Sequence, residues 1–192
     1  KTDADFGYII GYMLTEKEVS TGPAYTNVLP LAINADGTPY VGNNGEKGYK
    51  TGYRLNSSRV ETAATGRCCT GFIPVKNTDT VRFKNISVPT DGNRNGYAHF
   101  YGSDFTTNTG QMYEFWTADK FVNGVYEFIP AQATAEHSSN NNAGTNTAYM
   151  RISTGIIDDT SIITINEEIV EGGGGTEIVT EYAWVSTGLA FV

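Results

Sequence analysis

Apolar and polar residues alternate with period two in short runs along this chain, and that alternation is what most restricts its fold. The runs are Phe6 to Leu14, Phe72 to Val75, Val81 to Ile86, Tyr97 to Tyr101, Met112 to Trp116, Val125 to Ile129, Tyr149 to Ser153, Ser161 to Ile165 and Ile178 to Val185. Successive side chains of an extended strand point to opposite faces, so each run yields one apolar and one polar face. Between the runs stand Asp36-Gly37, Asn43-Asn44-Gly45, Asp91-Gly92, Asn95-Gly96 and Asn123-Gly124. These pairs suit the positive-φ positions of hairpins and tight turns. No stretch holds helical periodicity beyond one or two turns, so the chain is expected to be all-β.

Many short strands with regular turn punctuation predict an antiparallel β-sandwich, jelly-roll-like, because two sheets can each bury one face against the other. The sandwich core is placed at residues 50–168, after an N-terminal strand arm and loop over residues 1–49. A glycine-rich linker, residues 169–175, follows, and a C-terminal strand arm occupies residues 176–192. Phe6, Tyr8, Ile10, Tyr12 and Leu14 lie on one side of the first arm, and Ile178, Tyr182 and Trp184 do the same beyond the glycines. An arm with one apolar face needs a partner: an edge of its own domain, a neighbouring domain, or a sibling subunit. Lys1 is not an initiator Met and an apolar run leads to Val192, which fits a fragment or a processed form.

The formal net charge of −8 repels a phosphate backbone, and no Lys/Arg cluster offsets it locally, so nucleic acid is not an expected partner. No window approaches the roughly 18 apolar residues of a spanning helix, so membrane insertion is not expected. The only cysteines, Cys68 and Cys69, are adjacent. Two buried thiols suit that spacing better than a strained bond between neighbours.

Catalysis needs converging groups. The two histidines, His99 and His137, lack a nearby nucleophile motif, and the carboxylate neighbours Asp158-Asp159 and Glu167-Glu168 diverge on an extended strand. No catalytic residue is therefore named, and no cofactor. Asp91-Gly-Asn-Arg-Asn-Gly96 matches the first half of a calcium loop, but its twelfth position is Gly102 rather than a bidentate Glu. An ordinary turn is expected there, and no metal.

Strand parity supplies the binding hypothesis. If Ala98, Phe100, Ala148, Met150 and Ile152 point inward, then Tyr97, His99, Tyr101, Tyr149 and Arg151 share the opposite face and are expected to look outward. With Trp116 they offer aromatic platforms and polar handles for sugar rings or for another protein chain.

Three segments carry a family resemblance: Tyr25 to Gly37 (Tyr-Thr-Asn-Val-Leu-Pro-Leu-Ala-Ile-Asn-Ala-Asp-Gly), Gly52 to Glu61 (Gly-Tyr-Arg-Leu-Asn-Ser-Ser-Arg-Val-Glu) and Thr70 to Ile86. Over residues 7–168 the chain resembles minor structural proteins of bacteriophages and prophages. The resemblance implies a carbohydrate-binding-like β-sandwich of a tail, baseplate or fibre protein, with Tyr149-Met-Arg-Ile-Ser and Ile162-Ile-Thr-Ile-Asn as closing strands. The segment from Glu181 to Val192 looks like a joint that such proteins place before a further region. The expected function is a non-enzymatic structural or adhesion module that binds cell-surface glycan or sibling subunits, located in a virion or an extracellular fibre. A self-assembling filament subunit joined by donor-strand pairing is the alternative, and a polysaccharide depolymerase accessory domain stands third.

Overall fold

The computed structural model describes residues 13–20, 25–87, 96–114, 120–132, 141–169 and 176–183. The chain divides into a body, Tyr25–Ile169, and a second unit formed by Lys1–Ala24 with Val170–Val192. In the second unit β1 (Met13–Ser20) pairs antiparallel with β11 (Thr176–Ala183) in unbroken register, from Met13 opposite Ala183 to Ser20 opposite Thr176. The two arms are thus partners of each other. Leu14 is the register partner of Tyr182, and Glu18 that of Ile178. Phe6, Tyr8, Ile10, Tyr12 and Trp184 lie outside the described residues.

The body is all-β, built on two antiparallel sheets. The larger has the order β2 (Tyr49–Leu55), β3 (Glu61–Thr70), β9 (Tyr149–Thr154), β6 (Gly96–Tyr101), β7 (Asn108–Glu114), with β4 (Ile73–Pro74) also on β9. The smaller runs β10 (Ile162–Ile165), β5 (Val81–Lys84), β8 (Val125–Phe128). Described helical structure is limited to 3-10 turns such as Leu29–Leu31 and Pro130–Gln132. Asn123 and Gly124, both at positive φ, turn the chain tightly between Val122 and Val125, as two-residue connections require.

Alternation explains how the sheets meet. Val81 and Phe83, with Ile163, Tyr126 and Phe128 beside them, form one face of the small sheet, whereas Arg82 lies on the other and pairs with Glu127 at 2.7 Å. Ala98, Phe100, Met112, Met150, Ile152, Ile73 and Cys68 form the inner face of the large sheet, and both sets belong to a single buried cluster. Burying such side chains is the main favourable term in folding, about 1.5–3 kcal/mol for each large one. Cys68 and Cys69 are free, buried and on opposite faces of β3.

Residues 25–49, expected to belong to the arm, are part of the body: Leu29, Ala32, Tyr40 and Tyr49 lie in its core. Asn27 ties this segment to β10, since its Oδ1 accepts from the Leu29 and Ile163 amides and its Nδ2 donates to the Ser161 carbonyl. The Val28 amide donates to the Ile163 carbonyl at 2.8 Å. Thr26 bonds the Glu167 carboxylate through its amide and its hydroxyl. The two ends of the body are thereby held side by side.

Gly48 shows how tightly this segment is fitted. Its φ is +84°, and a Cβ there would meet the Leu29 carbonyl oxygen at 1.7 Å, whereas Gly37, at φ +83°, has nothing within 4 Å. Gly37→Ala should therefore cost about 1 kcal/mol, from the left-handed backbone alone. Gly48→Ala should cost about 3 kcal/mol or more, because backbone must move as well. Urea denaturation of both variants checks this; equal losses would remove the steric argument.

Candidate functional site

The pairing of β6 with β9 places Tyr97 opposite Ser153, His99 opposite Arg151, and Tyr101 opposite Tyr149. These residues do share the face away from Ala98, Phe100, Met150 and Ile152. That face is not outward-looking, however: His99 is 2% exposed, Tyr101 3% and Arg151 7%, while Tyr97 and Tyr149 are half-buried. Trp116 lies outside the described residues.

The distal half of the β2–β3 hairpin covers it. The register of this pair breaks between Thr51 and Tyr53, and Gly52 (φ +75°) and Gly66 (φ +72°) supply the left-handed backbone that lets both strands bend there. Beyond the bend the hairpin lies over β9, β6 and β7. The Leu55 amide donates to Ser153 Oγ at 3.2 Å. Arg59 donates to the Phe100 carbonyl at 2.8 Å, to the Gly110 carbonyl at 2.9 Å and to Asn108 Oδ1, and its guanidinium sits 5.0 Å from the Tyr101 ring centroid.

Glu61, also beyond the bend, completes the cover. Its Oε1 accepts from Arg151 Nη2 at 2.5 Å and from the Tyr40 hydroxyl at 2.9 Å, and its Oε2 accepts from Lys50 Nζ at 3.2 Å. Arg151 Nε donates to the Thr70 carbonyl at 2.8 Å, and the guanidinium lies 4.9 Å from the Phe72 ring centroid. Phe72 meets Tyr101 edge-on at 5.0 Å, and Phe105 stacks on Tyr149 at 4.3 Å. Burial opposes the charge on Glu61, but the bonds from Arg151 and Tyr40 outweigh it and hold the carboxyl below its usual range. Burial, then the nearby Cys69 and Glu61, pushes the Tyr40 phenol far above its ordinary value. Burial likewise raises the Cys69 thiol to about 11, so neither it nor the similarly raised Cys68 is a thiolate at neutral pH.

Among the described residues, Nδ1 and Nε2 of His99 find no hydrogen-bond partner on this face, whereas the Tyr101 hydroxyl stands beside the Arg59 guanidinium. Each buried orphan of this kind costs about 1–3 kcal/mol. Burial, reinforced by the positive charges of Arg59 and Arg151, depresses the His99 imidazole to about 3. The unfolded chain takes up that proton near pH 6.5, while the folded chain stays neutral well below it. Stability is therefore lost as pH falls through this window, by about 1.4 kcal/mol per pH unit for one proton. Chemical denaturation between pH 6.5 and 5 should show that slope in the wild type and its disappearance in His99→Leu. An identical slope in both would mean that His99 is not the group responsible.

A second feature is an open cleft of about 360 Å³, lined by Lys47, Tyr49, Asp158 and Asp159, with Gly45 and Pro30 at its rim. That volume falls within the range of small-ligand pockets, roughly 300–1,000 Å³. Tyr49 forms a buried wall and donates to Asp159 Oδ1 at 3.2 Å, and burial followed by the Asp159 charge raises its phenol to about 12. Asp158 Oδ1 accepts from the Thr160 hydroxyl at 2.6 Å and the Thr160 amide at 2.8 Å, which hold this carboxyl below its ordinary value. The cleft thus presents two fixed carboxylates and the Lys47 ammonium, which has no ion-pair partner among the described residues. Sequence reasoning passed over it because Tyr49 and Asp159 are 110 residues apart and no local pattern links them.

Among the described residues, no three of His, Cys, Asp or Glu are grouped to hold a metal ion, and no helix is long and apolar enough to cross a membrane. Compared with protein-family models, curated proteins and solved structures, the chain matches none.

Proposed function

We propose that this chain is a non-enzymatic structural and adhesion module of phage type, carried in a virion or an extracellular fibre. Its two-sheet body is taken as a jelly-roll-like sandwich that contacts surface glycans. The cleft at Lys47, Tyr49, Asp158 and Asp159 carries this reading. Fixed carboxylates accept hydrogen bonds from sugar hydroxyls, an ammonium donates to them, and neither requires a reacting group. The resemblance of Tyr25 to Gly37 and Thr70 to Ile86 to phage structural proteins supports the same reading. The glycan contact moves from the covered His99 face to an accessible one.

Retention on a glycan array or on purified cell-wall polysaccharide tests it. Asp159→Ala should weaken retention at least about tenfold, the loss of one charge-assisted hydrogen bond, with a modest fall in melting temperature because the Tyr49 hydroxyl loses its acceptor. If the wild type binds no glycan and no sibling subunit, the reading falls.

Self-association is a second reading, favoured by the β1–β11 ribbon. A two-stranded sheet is marginal alone in water, and among the described residues neither strand pairs with a third, which leaves each an edge for a neighbour. Removing Thr176–Val192 should then lower the association state seen by analytical ultracentrifugation. An unchanged sedimentation profile would count against the ribbon as the contact.

A further inference from the structure

The Glu61 carboxylate is received by three donors from three separate parts of the body: Arg151 on β9, Tyr40 in the loop before β2, and Lys50 at the start of β2. All three lie outside the distal hairpin, while Glu61 lies within it, beyond the bend at Gly52 and Gly66. An arginine, a phenol and an ammonium converging on one carboxylate are the elements of a carboxylate-recognition site, filled here by the chain itself. Beside it, on the same face, are the unpartnered nitrogens of His99, directly opposite Arg151 in the sheet, and the phenol of Tyr101 two residues further along β6. A neutral imidazole and a phenol each offer both a donor and an acceptor, which matches hydroxyl groups next to a carboxylate.

We propose that Arg151, Tyr40 and Lys50 form a binding site for an acidic sugar of the hexuronate class, occupied in the closed state by Glu61 of the β2–β3 hairpin. Displacement of the hairpin at Gly52 and Gly66 opens the site. The ligand carboxylate then replaces that of Glu61, and its hydroxyls give His99 the partners it lacks. Arg59 is the latch, since its bonds to Phe100, Gly110 and Asn108 fasten the hairpin tip across β6 and β7. This site is separate from the Asp158–Asp159 cleft and does not depend on it.

Chemical rescue tests the assignment in the full chain. Glu61→Ala should melt below the wild type, and sodium glucuronate should restore several degrees more than sodium chloride of equal ionic strength or glucose of equal concentration. Asp159→Ala added to Glu61→Ala should leave that rescue intact, which separates this site from the cleft. Rescue by glucuronate no better than by chloride overturns the site. Equal rescue by acetate, or stronger rescue by a short Glu-containing peptide, overturns the sugar assignment.

Should Glu61→Ala fail to fold, Arg59→Ala gives an independent measurement, because it loosens the closed state while leaving every proposed ligand contact in place. Calorimetric titration with glucuronate should show affinity about tenfold tighter than in the wild type, the gain expected when the competent state becomes more populated. Affinity equal to that of the wild type overturns the hairpin as a competing occupant.

Discussion

A guanidinium buried on the second face of the large sheet sets the terms for the rest of the body. Arg151 sits in the middle of β9 with a planar fork of N–H donors and no acceptor of its own, so the chain must bring it acceptors. The Thr70 carbonyl supplies one from the neighbouring strand and Glu61 supplies another from the hairpin that bends over the sheet. Removing one member of such a pair strands a charge, a loss of roughly 3–5 kcal/mol. The bent β2–β3 hairpin and the Tyr40 hydroxyl both meet this charge through the Glu61 carboxylate.

The two faces of the large sheet are consequently held by different physics. The inner face is apolar and packs against the small sheet through Phe83, Phe100, Met150, Ile152 and Ile163, a contact set by surface removed from water. The outer face is aromatic and charged, held by directed bonds to Arg59, Arg151 and Glu61 and by edge-on and stacked rings. It also carries orphaned polar atoms that the inner face lacks. A cover that leaves such groups unsatisfied is worth less than an apolar one of equal area.

This division bears on function. The Asp158–Asp159 cleft is accessible in the closed structure and asks for no rearrangement, so it suits a first contact with a hydroxyl-rich surface. The Arg151 cluster is filled by the chain's own carboxylate, so in the proposed opening a ligand must displace Glu61 to enter it. At the far ends of the chain, the β1–β11 ribbon uses backbone pairing, which is indifferent to side chains and so suits a generic joint. The proposed contacts thus fall on three separate elements.

Much of the fold was legible in the residues themselves. Alternation marked Val81 to Ile86, Tyr97 to Tyr101, Val125 to Ile129 and Tyr149 to Ser153, because one buried face imposes a two-residue period and that period is local. It missed β2 and β3, whose buried positions hold Arg67, Cys69 and Thr70 where a large apolar residue would give the pattern away, and whose glycines at 52 and 66 resemble turn residues. Parity put His99, Tyr101 and Arg151 together on one face correctly, yet it could not tell what lies above that face. Ninety residues separate Arg151 from Glu61, and 110 separate Tyr49 from Asp159. Side-chain direction is set by neighbouring backbone, so sequence alone determined the two faces of each strand that alternation marked. Burial is set by whichever distant segment arrives, so only the tertiary structure decided which face was closed and where a cleft stayed open.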